Sequence, residues 1–267
     1  MTAPSPSPPV AGPRRQPPAN PLFEYLLRLA DDRLVLGHRL SEWCGHGPIL
    51  EEDIALTNIA LDLVGHASML YALAGATEGA GRDEDALAYF RGETDYRNAQ
   101  LAELPCGDFA VTTVRQFLFD AYSVPLWSAL QRCGHTKLAA IAAKALKEDT
   151  YHLRHSTDWM LKLGDGTAES HQRTQHALDT LWRFTGELFE TDEVHAAVAR
   201  DGIEVDSGAL LATWRRTVAA VVAQATLELP PDGAMATGGR RGVHTEHLGH
   251  MLSDMQIVAR SHPGAQW

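Results

Sequence analysis

The chain has 267 residues and a formal net charge of −11, from 23 Lys and Arg against 34 Asp and Glu. Hydrophobic residues make up 45% and charged residues 21%, the proportions of an ordinary globular protein and not of a disordered or fibrous one. The acidic balance argues against a nucleic-acid partner. The sequence contains no run of about 18 apolar residues free of charge, so no membrane span is expected. Three scattered cysteines suit neither a disulfide framework nor a zinc knuckle, so a cytoplasmic protein is expected.

Proline is concentrated in the first 21 residues, which hold eight of the 14 in the chain. This segment has almost no large apolar residues and cannot contribute to a core, so residues 1–20 are predicted to be a disordered tail. It also lacks the apolar region of a signal peptide. A single helical domain is predicted over residues 21–267.

The rest of the sequence is poor in proline and rich in Ala and Leu, which favours helix. Gly134 ends one predicted helix, and Asp206 can cap another. No alternating pattern is long enough for a β-sheet, so the expected class is all-α. The predicted helices lie at about 22–44, 51–75, 82–103, 109–132, 136–163, 170–200, 207–227 and 243–260.

Several of these helices place charged residues on an apolar face, at about 100° per residue. Asp62 and His66 share such a stripe with Asn58 on the second helix, and Asp149 and His152 share one on the fifth. On the fourth helix, Asp120 lies among apolar residues, and Glu148 flanks the face of the fifth. A carboxylate buried in such a place costs several kcal/mol unless it is paired or bound to a cation.

These carboxylates also lie at similar depths. The first and second helices meet at a turn near Gly47, and the fourth and fifth meet near Gly134, so each pair is antiparallel. Asp31 or Asp32 then lies opposite Asp62, and Asp120 lies opposite the acidic pair of the fifth helix. Four helices that each carry a mid-depth carboxylate, two of them with a histidine, have the layout of a ferritin-like di-iron carboxylate protein. A four-helix bundle with additional C-terminal helices is therefore predicted.

The ligand spacing departs from that of a di-iron site, in which two helices each carry Glu-x-x-His. Three residues after Asp62, where the motif requires histidine, the sequence has Gly65. Three residues after Glu148 it has Tyr151 in place of histidine. Asp149-x-x-His152 has the right spacing but the shorter acid. Arg33 falls near the middle of the first helix's apolar face, where a guanidinium can take the place and charge of a metal ion.

A metal-free ion-pair network is therefore favoured over an altered iron site. Its predicted members are Asp32, Asp62, His66, Asp120, Glu148, Asp149 and His152.

Five ordered stretches carry a family resemblance: Leu34–Gly47, Asn58–Gly65, Lys147–Arg154, Leu181–Glu190 and His244–His250. They resemble the PaaC-type subunit of bacterial phenylacetyl-CoA epoxidase, the ring-1,2-epoxidase of aerobic phenylacetate degradation. The resemblance covers residues 21–267 and implies a ferritin-like fold within a multicomponent monooxygenase.

The resemblance also implies a set of partners. The di-iron site and the binding of phenylacetyl-CoA belong to a homologous PaaA-type catalytic subunit, a flavin/iron-sulfur reductase supplies electrons from NADPH, and further small subunits take part. This chain would be the non-catalytic structural subunit, with no metal or cofactor of its own. Apart from the resemblance, a second apolar face on the first helix predicts that the isolated chain self-associates or is unstable. Two alternatives are an oxygenase subunit with its own altered di-iron site and a stand-alone ferritin-like metal-storage protein.

Three further features allow two interpretations each. His244, Glu246, His247 and His250 could bind a metal, but caps or surface contacts are favoured at a helix start. The turn at 238–242 could meet a phosphate, but a flexible basic turn is favoured. Phe23, Leu27 and Leu34 form a second apolar face on the first helix, covered either by another chain or by the C-terminal helices. Arg28 and Arg39 are expected to flank this face.

Overall fold

The structure is a computed structural model that describes residues 19–265, so most of the predicted tail lies outside the described residues. Within that range the chain is helical and has no β-strand, which confirms the all-α class. The helices are α1 (Pro21–Ser41), α2 (Leu50–Glu78), α3 (Glu84–Tyr89), α4 (Gln100–Glu103), α5 (Phe109–Leu130), α6 (Thr136–Gly164), α7 (Ala168–Trp182), α8 (Glu193–Arg200), α9 (Ser207–Gln224) and α10 (Glu246–Ser261).

Four long helices form the centre of the fold as two antiparallel hairpins, α1–α2 and α5–α6. The first hairpin packs closely, because a Cβ at Gly37 would lie only 3.1 Å from Val64 Cγ2. Helix α2 also contacts α6. Helices α7 and α9 both pack on α5, and α8 packs on α1. This is the predicted ferritin-like bundle with additional helices, and it places α2, α5 and α6 around one shared interior.

Side-chain caps begin the helices at several predicted boundaries. Asp206 accepts a hydrogen bond from Ala209 N at 3.0 Å at the start of α9, as predicted. Asp108 does the same for α5, accepting from Val111 N at 2.9 Å. These caps satisfy backbone donors that have no partner within the helix.

Two predicted helices are interrupted. The segment 82–103 contains the short helices α3 and α4 with a single 3-10 turn at Glu93–Asp95 between them. The segment 170–200 is divided into α7 and α8, with a 3-10 turn at Gly186–Phe189 between them. In the first case side chains of α1 take the place of helical acceptors, since Asp31 accepts from Arg97 N at 2.7 Å and Asp32 accepts from Ala99 N at 2.8 Å. Propensity alone cannot show that distant carboxylates will bind this stretch of backbone.

The second apolar face of α1 is covered by this same chain, because Leu27 and Leu34 are buried and α1 packs against α4 and α8. Arg28 and Arg39, which are expected to flank this face, are themselves buried inside the chain. Arg28 forms a two-pronged ion pair with Asp192, with distances of 3.0 and 2.6 Å. Arg39 is also buried and donates to the carbonyl oxygens of two other segments.

By length and composition, α2 is long and apolar enough to cross a membrane. More than half of its apolar window is buried inside the protein. Such burial is typical of a core helix.

Candidate functional site: a buried histidine–carboxylate cluster

Helices α2 and α6 are joined by three histidine–carboxylate pairs. His66 Nε2 lies 2.6 Å from Glu148 Oε2, and His152 Nε2 lies 3.1 Å from Asp62 Oδ2. A third pair, His155 with Glu52 at 2.9 Å, lies towards the start of α2. The term histidine–carboxylate cluster is used here for Asp62, His66, Asp120, Glu148, Asp149 and His152.

Asp149 lies at the centre of this cluster and is 1% exposed. Its Oδ2 accepts hydrogen bonds from Trp127 Nε1 at 2.8 Å and from Ser123 Oγ. Its Oδ1 lies 3.3 Å from His152 Nδ1 and 3.7 Å from His66 Nδ1, close enough to form an ion pair with a protonated His152. One carboxylate therefore faces both histidines of the cluster.

Arg33 of α1 supplies a positive charge beside Asp149. Its side chain is fully buried, and Nη2 donates to Ser123 Oγ at 2.8 Å. The guanidinium lies 4.4 Å from the centroid of the Trp127 ring, within range of a cation–π interaction. Because Ser123 and Trp127 both donate to Asp149, Arg33 is coupled to this carboxylate through two shared neighbours.

Asp120 of α5 is held by two neutral donors and not by a cation. Gln116 Nε2 donates to one oxygen at 2.7 Å, and Ser156 Oγ donates to the other at 2.8 Å. Burial raises the pKa of Asp120 to about 7, although nearby His152 opposes this shift.

The pKa values of the other buried groups in the cluster are also shifted from their ordinary values. Burial works against a charged His152, but the carboxylates of Asp149 and Asp62 outweigh it and raise its pKa to about 10. Burial likewise works against ionised Asp149, yet His152, His66 and Arg33 together lower its pKa. For His66, burial dominates and lowers the pKa, so this imidazole is neutral at physiological pH.

The structure does not bring Asp32 to the cluster. Asp32 accepts two hydrogen bonds from the Arg240 guanidinium, both at 2.9 Å. The adjacent Asp31 pairs with Arg91 and Tyr71, so both acids of this dipeptide are buried and partnered. Sequence reasoning missed Arg240 and Arg91, although two acids on an apolar face are a signal that cations must reach them.

The helical phase of α2 also differs from the expected one. Asn58 is exposed, and the side chain of Asp62 is 40% exposed. His66, in contrast, is completely buried. The carboxylate of Asp62 therefore lies at the solvent edge of the cluster, as does Glu148, whose side chain is 27% exposed.

The remaining candidates are engaged elsewhere. His244 lies 2.8 Å from Glu103 Oε2 and 3.1 Å from the Tyr96 carbonyl oxygen. His250 is exposed and does not share these contacts. Arg240 is buried against Asp32, so it is closed to a phosphate and the turn at 238–242 is anchored by it.

The residues of the cluster do not fit a di-iron centre, which needs four carboxylates and two histidines aimed at a pair of ions. The outer nitrogens of His66 and His152 are already paired with Glu148 and Asp62, and Asp32 binds Arg240. Among residues 19–265, no group of three or more His, Cys, Asp or Glu side chains is arranged to hold a metal ion.

An antiparallel bundle with carboxylates and histidines at mid-depth on α2, α5 and α6 defines a ferritin-like carboxylate protein whose acids are paired with protein cations and donors. More narrowly, the chain belongs to the family described as phenylacetic acid catabolic protein, which matches residues 12–267. It is 49% identical over 248 residues to the C subunit of the 1,2-phenylacetyl-CoA epoxidase of Escherichia coli (strain K12). That alignment covers 93% of this chain and 100% of the relative, and it confirms the resemblance inferred from the sequence.

Proposed function

We propose that this chain is the non-catalytic structural subunit of a 1,2-phenylacetyl-CoA epoxidase and supports a homologous PaaA-type di-iron subunit. The observation that carries the proposal is the match to the whole length of a relative named as the C subunit of that enzyme. The reductase and the small subunits would act on the assembled complex, and this chain would hold no cofactor.

The pairing within the cluster supports a structural role. Glu148 binds His66, Asp62 binds His152, and Gln116 and Ser156 bind Asp120. These contacts join α2, α5 and α6 through side chains that a catalytic homologue would use to bind iron. A rigid neighbour of this kind can hold the ligands of an adjacent catalytic subunit in place.

The outer surface of α2 supports the presence of a partner. Four apolar side chains lie along it, here called the α2 outer stripe: Leu50, Ile54, Leu61 and Val64, which are 71%, 52%, 64% and 36% exposed. A row of exposed apolar groups on one helix marks an interaction surface. Asp62, whose side chain is 40% exposed, follows Leu61 directly and so lies about 100° around the helix from it.

Co-expression with the PaaA-type subunit, followed by size exclusion and metal analysis, tests the proposal. The two chains should elute together, iron should be found only in the catalytic chain, and epoxidation of phenylacetyl-CoA with reductase and NADPH should require both. The proposal fails if the chains elute separately and the catalytic chain alone is soluble and fully active.

One observation favours a second candidate, an oxygenase subunit with its own altered site. Asp149 and His152 keep the i, i+3 spacing of a ligand pair, and Asp149 Oδ1 lies 3.3 Å from His152 Nδ1 and 3.7 Å from His66 Nδ1. Two irons per isolated chain, with an oxo-bridge absorption band, would select this candidate. If a folded, iron-supplemented sample shows neither the two irons nor the oxo-bridge band, this candidate is excluded.

A further inference from the structure

Helices α3 and α10 form an open groove on the outside of the protein, here called the α3–α10 groove. Its volume is about 520 Å³, which lies within the usual range of ligand pockets. Tyr89 and Phe90 line one side, and Met255 and Val258 line the other. The lining residues come from the segments 83–90 and 255–265, so the groove is separate from the histidine–carboxylate cluster.

Both sides of the groove present apolar surface to solvent. Phe90 is 51% exposed and Val258 is 54% exposed. Tyr89 and Met255 are half-buried and continue the same apolar surface. Exposed apolar side chains on both sides of a groove mark a binding surface, because covering them removes apolar area from water.

Acidic residues lie at the start of α3, at the edge of this groove. Asp83 and Asp85 both line the groove and are exposed, and Glu84 lies between them in the sequence. Asp83 also caps α3, since its Oδ1 accepts a hydrogen bond from Ala86 N at 2.8 Å. The groove therefore suits an occupant that combines apolar groups with positive charge.

The N-terminal segment of this same chain has that combination. Residues 4–18 contain seven prolines, and their only charged residues are Arg14 and Arg15. Proline-rich segments bind aromatic grooves in an extended polyproline conformation. Arginines beside the prolines can then form charge-assisted hydrogen bonds with carboxylates at the edge of the groove.

The described part of the chain begins close to the α3–α10 groove. Asn20 Nδ2 donates to the Thr77 carbonyl oxygen at 3.1 Å, which joins the start of α1 to the end of α2. The guanidinium of Arg82, directly before Asp83, lies 5.6 Å from the centroid of the Phe23 ring. At about 3.1 Å per residue, residues 4–18 span roughly 45 Å, which is enough to reach the groove and follow it.

We infer that the α3–α10 groove is the docking site of residues 4–18 of the same chain. The prolines pack against the aromatic and aliphatic sides of the groove, and the two arginines pair with Asp83 and Asp85. Docking covers exposed apolar surface and offsets part of the acidic charge at the start of α3. The α2 outer stripe lies on a different helix, so the inference does not depend on the proposed function.

Trypsin digestion of the full chain tests this inference. Trypsin cuts after Arg14 and Arg15 when they are accessible, because neither is followed by proline. Phe90→Ser/Val258→Ser changes two exposed positions, so it should leave the melting temperature within a few degrees of the native value. It should raise the initial rate of cleavage after the two arginines at least tenfold, because the apolar sides of the groove are lost.

A second variant tests the charges and decides the matter if the first does not fold. Asp83→Asn/Asp85→Asn removes both carboxylates but keeps a side chain that caps α3. It should raise the rate of cleavage about threefold, since the apolar contacts remain. High salt should accelerate cleavage of the native chain in the same way, because it screens exposed charges.

Ile257→Ser is the matched control, since Ile257 is 61% exposed on α10 but lines a neighbouring groove. Its cleavage rate should equal that of the native chain. The inference is overturned if the native chain is cut as fast as both groove variants, or if Ile257→Ser accelerates cleavage equally.

Tenfold dilution distinguishes docking within one chain from docking between two copies. Protection of Arg14 and Arg15 should be unchanged on dilution, because an intramolecular contact does not depend on protein concentration. Loss of protection on dilution would assign the groove to a second copy and overturn the inference. Assembly with the PaaA-type subunit is measured separately, so a failure here leaves the structural role intact.

Discussion

Arg240 and Asp32 are 208 residues apart in the sequence and meet inside the protein, with both guanidinium Nη atoms 2.9 Å from a carboxylate oxygen. The pair fastens the segment before α10 to the centre of α1. Glu187 strengthens this attachment by accepting hydrogen bonds from the backbone N–H groups of Gly238 and Gln100, each at 2.8 Å. A buried acid of α1 thereby attaches the segment before α10 to the bundle.

We expect Asp32→Ala to lower the free energy of unfolding by about 3–5 kcal/mol, because Arg240 would remain buried without its partner. Arg240→Met/Asp32→Leu should cost less than the single change, since no charge is left unpaired. Chemical denaturation of the three proteins measures this. An unchanged midpoint in Asp32→Ala would contradict the burial of the pair.

Asp149 and Asp62 should differ in their importance for stability, although both contact His152. Asp149 is buried with two donors on Oδ2, so Asp149→Ala is expected to cost about 3–5 kcal/mol. Asp62 is 40% exposed, and solvent weakens its pairing, so Asp62→Ala should cost only about 1 kcal/mol. Equal losses for the two variants would show that Asp62 is as deeply buried as Asp149.

Stability should fall as the solution becomes alkaline. The pKa of His152 rises from 6.5 to about 10 in the folded protein, so between these values the folded chain holds a proton that the unfolded chain has lost. The stabilisation is complete below pH 6.5 and disappears as pH rises through about 10. Urea midpoints measured across this range should decline, and His152→Gln should flatten the decline. A native profile as flat as that of the variant would refute the raised pKa.

The titration of Asp120 should cause a separate loss of folding stability, at lower pH than that of His152. Its folded pKa of about 7 exceeds the reference value of 3.8, so the folded state binds the proton more tightly and loses this advantage as pH rises between them. Asp120→Asn keeps a neutral side chain of the same shape. Relative to the native chain, the free energy of unfolding of Asp120→Asn should therefore be higher above pH 7 than at lower pH. If the difference between the two proteins is the same at all pH values, the raised pKa of Asp120 is contradicted.

The α2 outer stripe should govern assembly but not folding. Leu61 is 64% exposed, so Leu61→Glu should leave the melting temperature within a few degrees of the native value while abolishing co-elution with the PaaA-type subunit. Ile257 on α10 is 61% exposed and offers a matched control. Ile257→Glu should leave the complex intact. If both variants assemble normally, the stripe is not the contact surface.

Local features of the sequence determined the long helices of the bundle. Apolar periodicity and caps such as Asp206 fix where a helix lies and begins, because their contacts join residues a few positions apart. The i, i+3 pair of Asp149 and His152 has the same local origin. The ordered family stretches predicted a relationship that the similarity to the Escherichia coli epoxidase protein confirmed.

Only the tertiary structure decided which partner each buried charge takes. Asp32 could not be matched to Arg240 from sequence, because that contact depends on how a distant loop returns to α1. The interruption of the predicted helix at 82–103 has the same cause, since Asp31 and Asp32 bind its backbone from another element. Asp62 lies at the solvent edge because the packing of α2 against α1 and α6 sets the rotation of the helix. Periodicity fixes that rotation only to within the width of an apolar face, whereas a buried charge is satisfied only by atoms at hydrogen-bond distance.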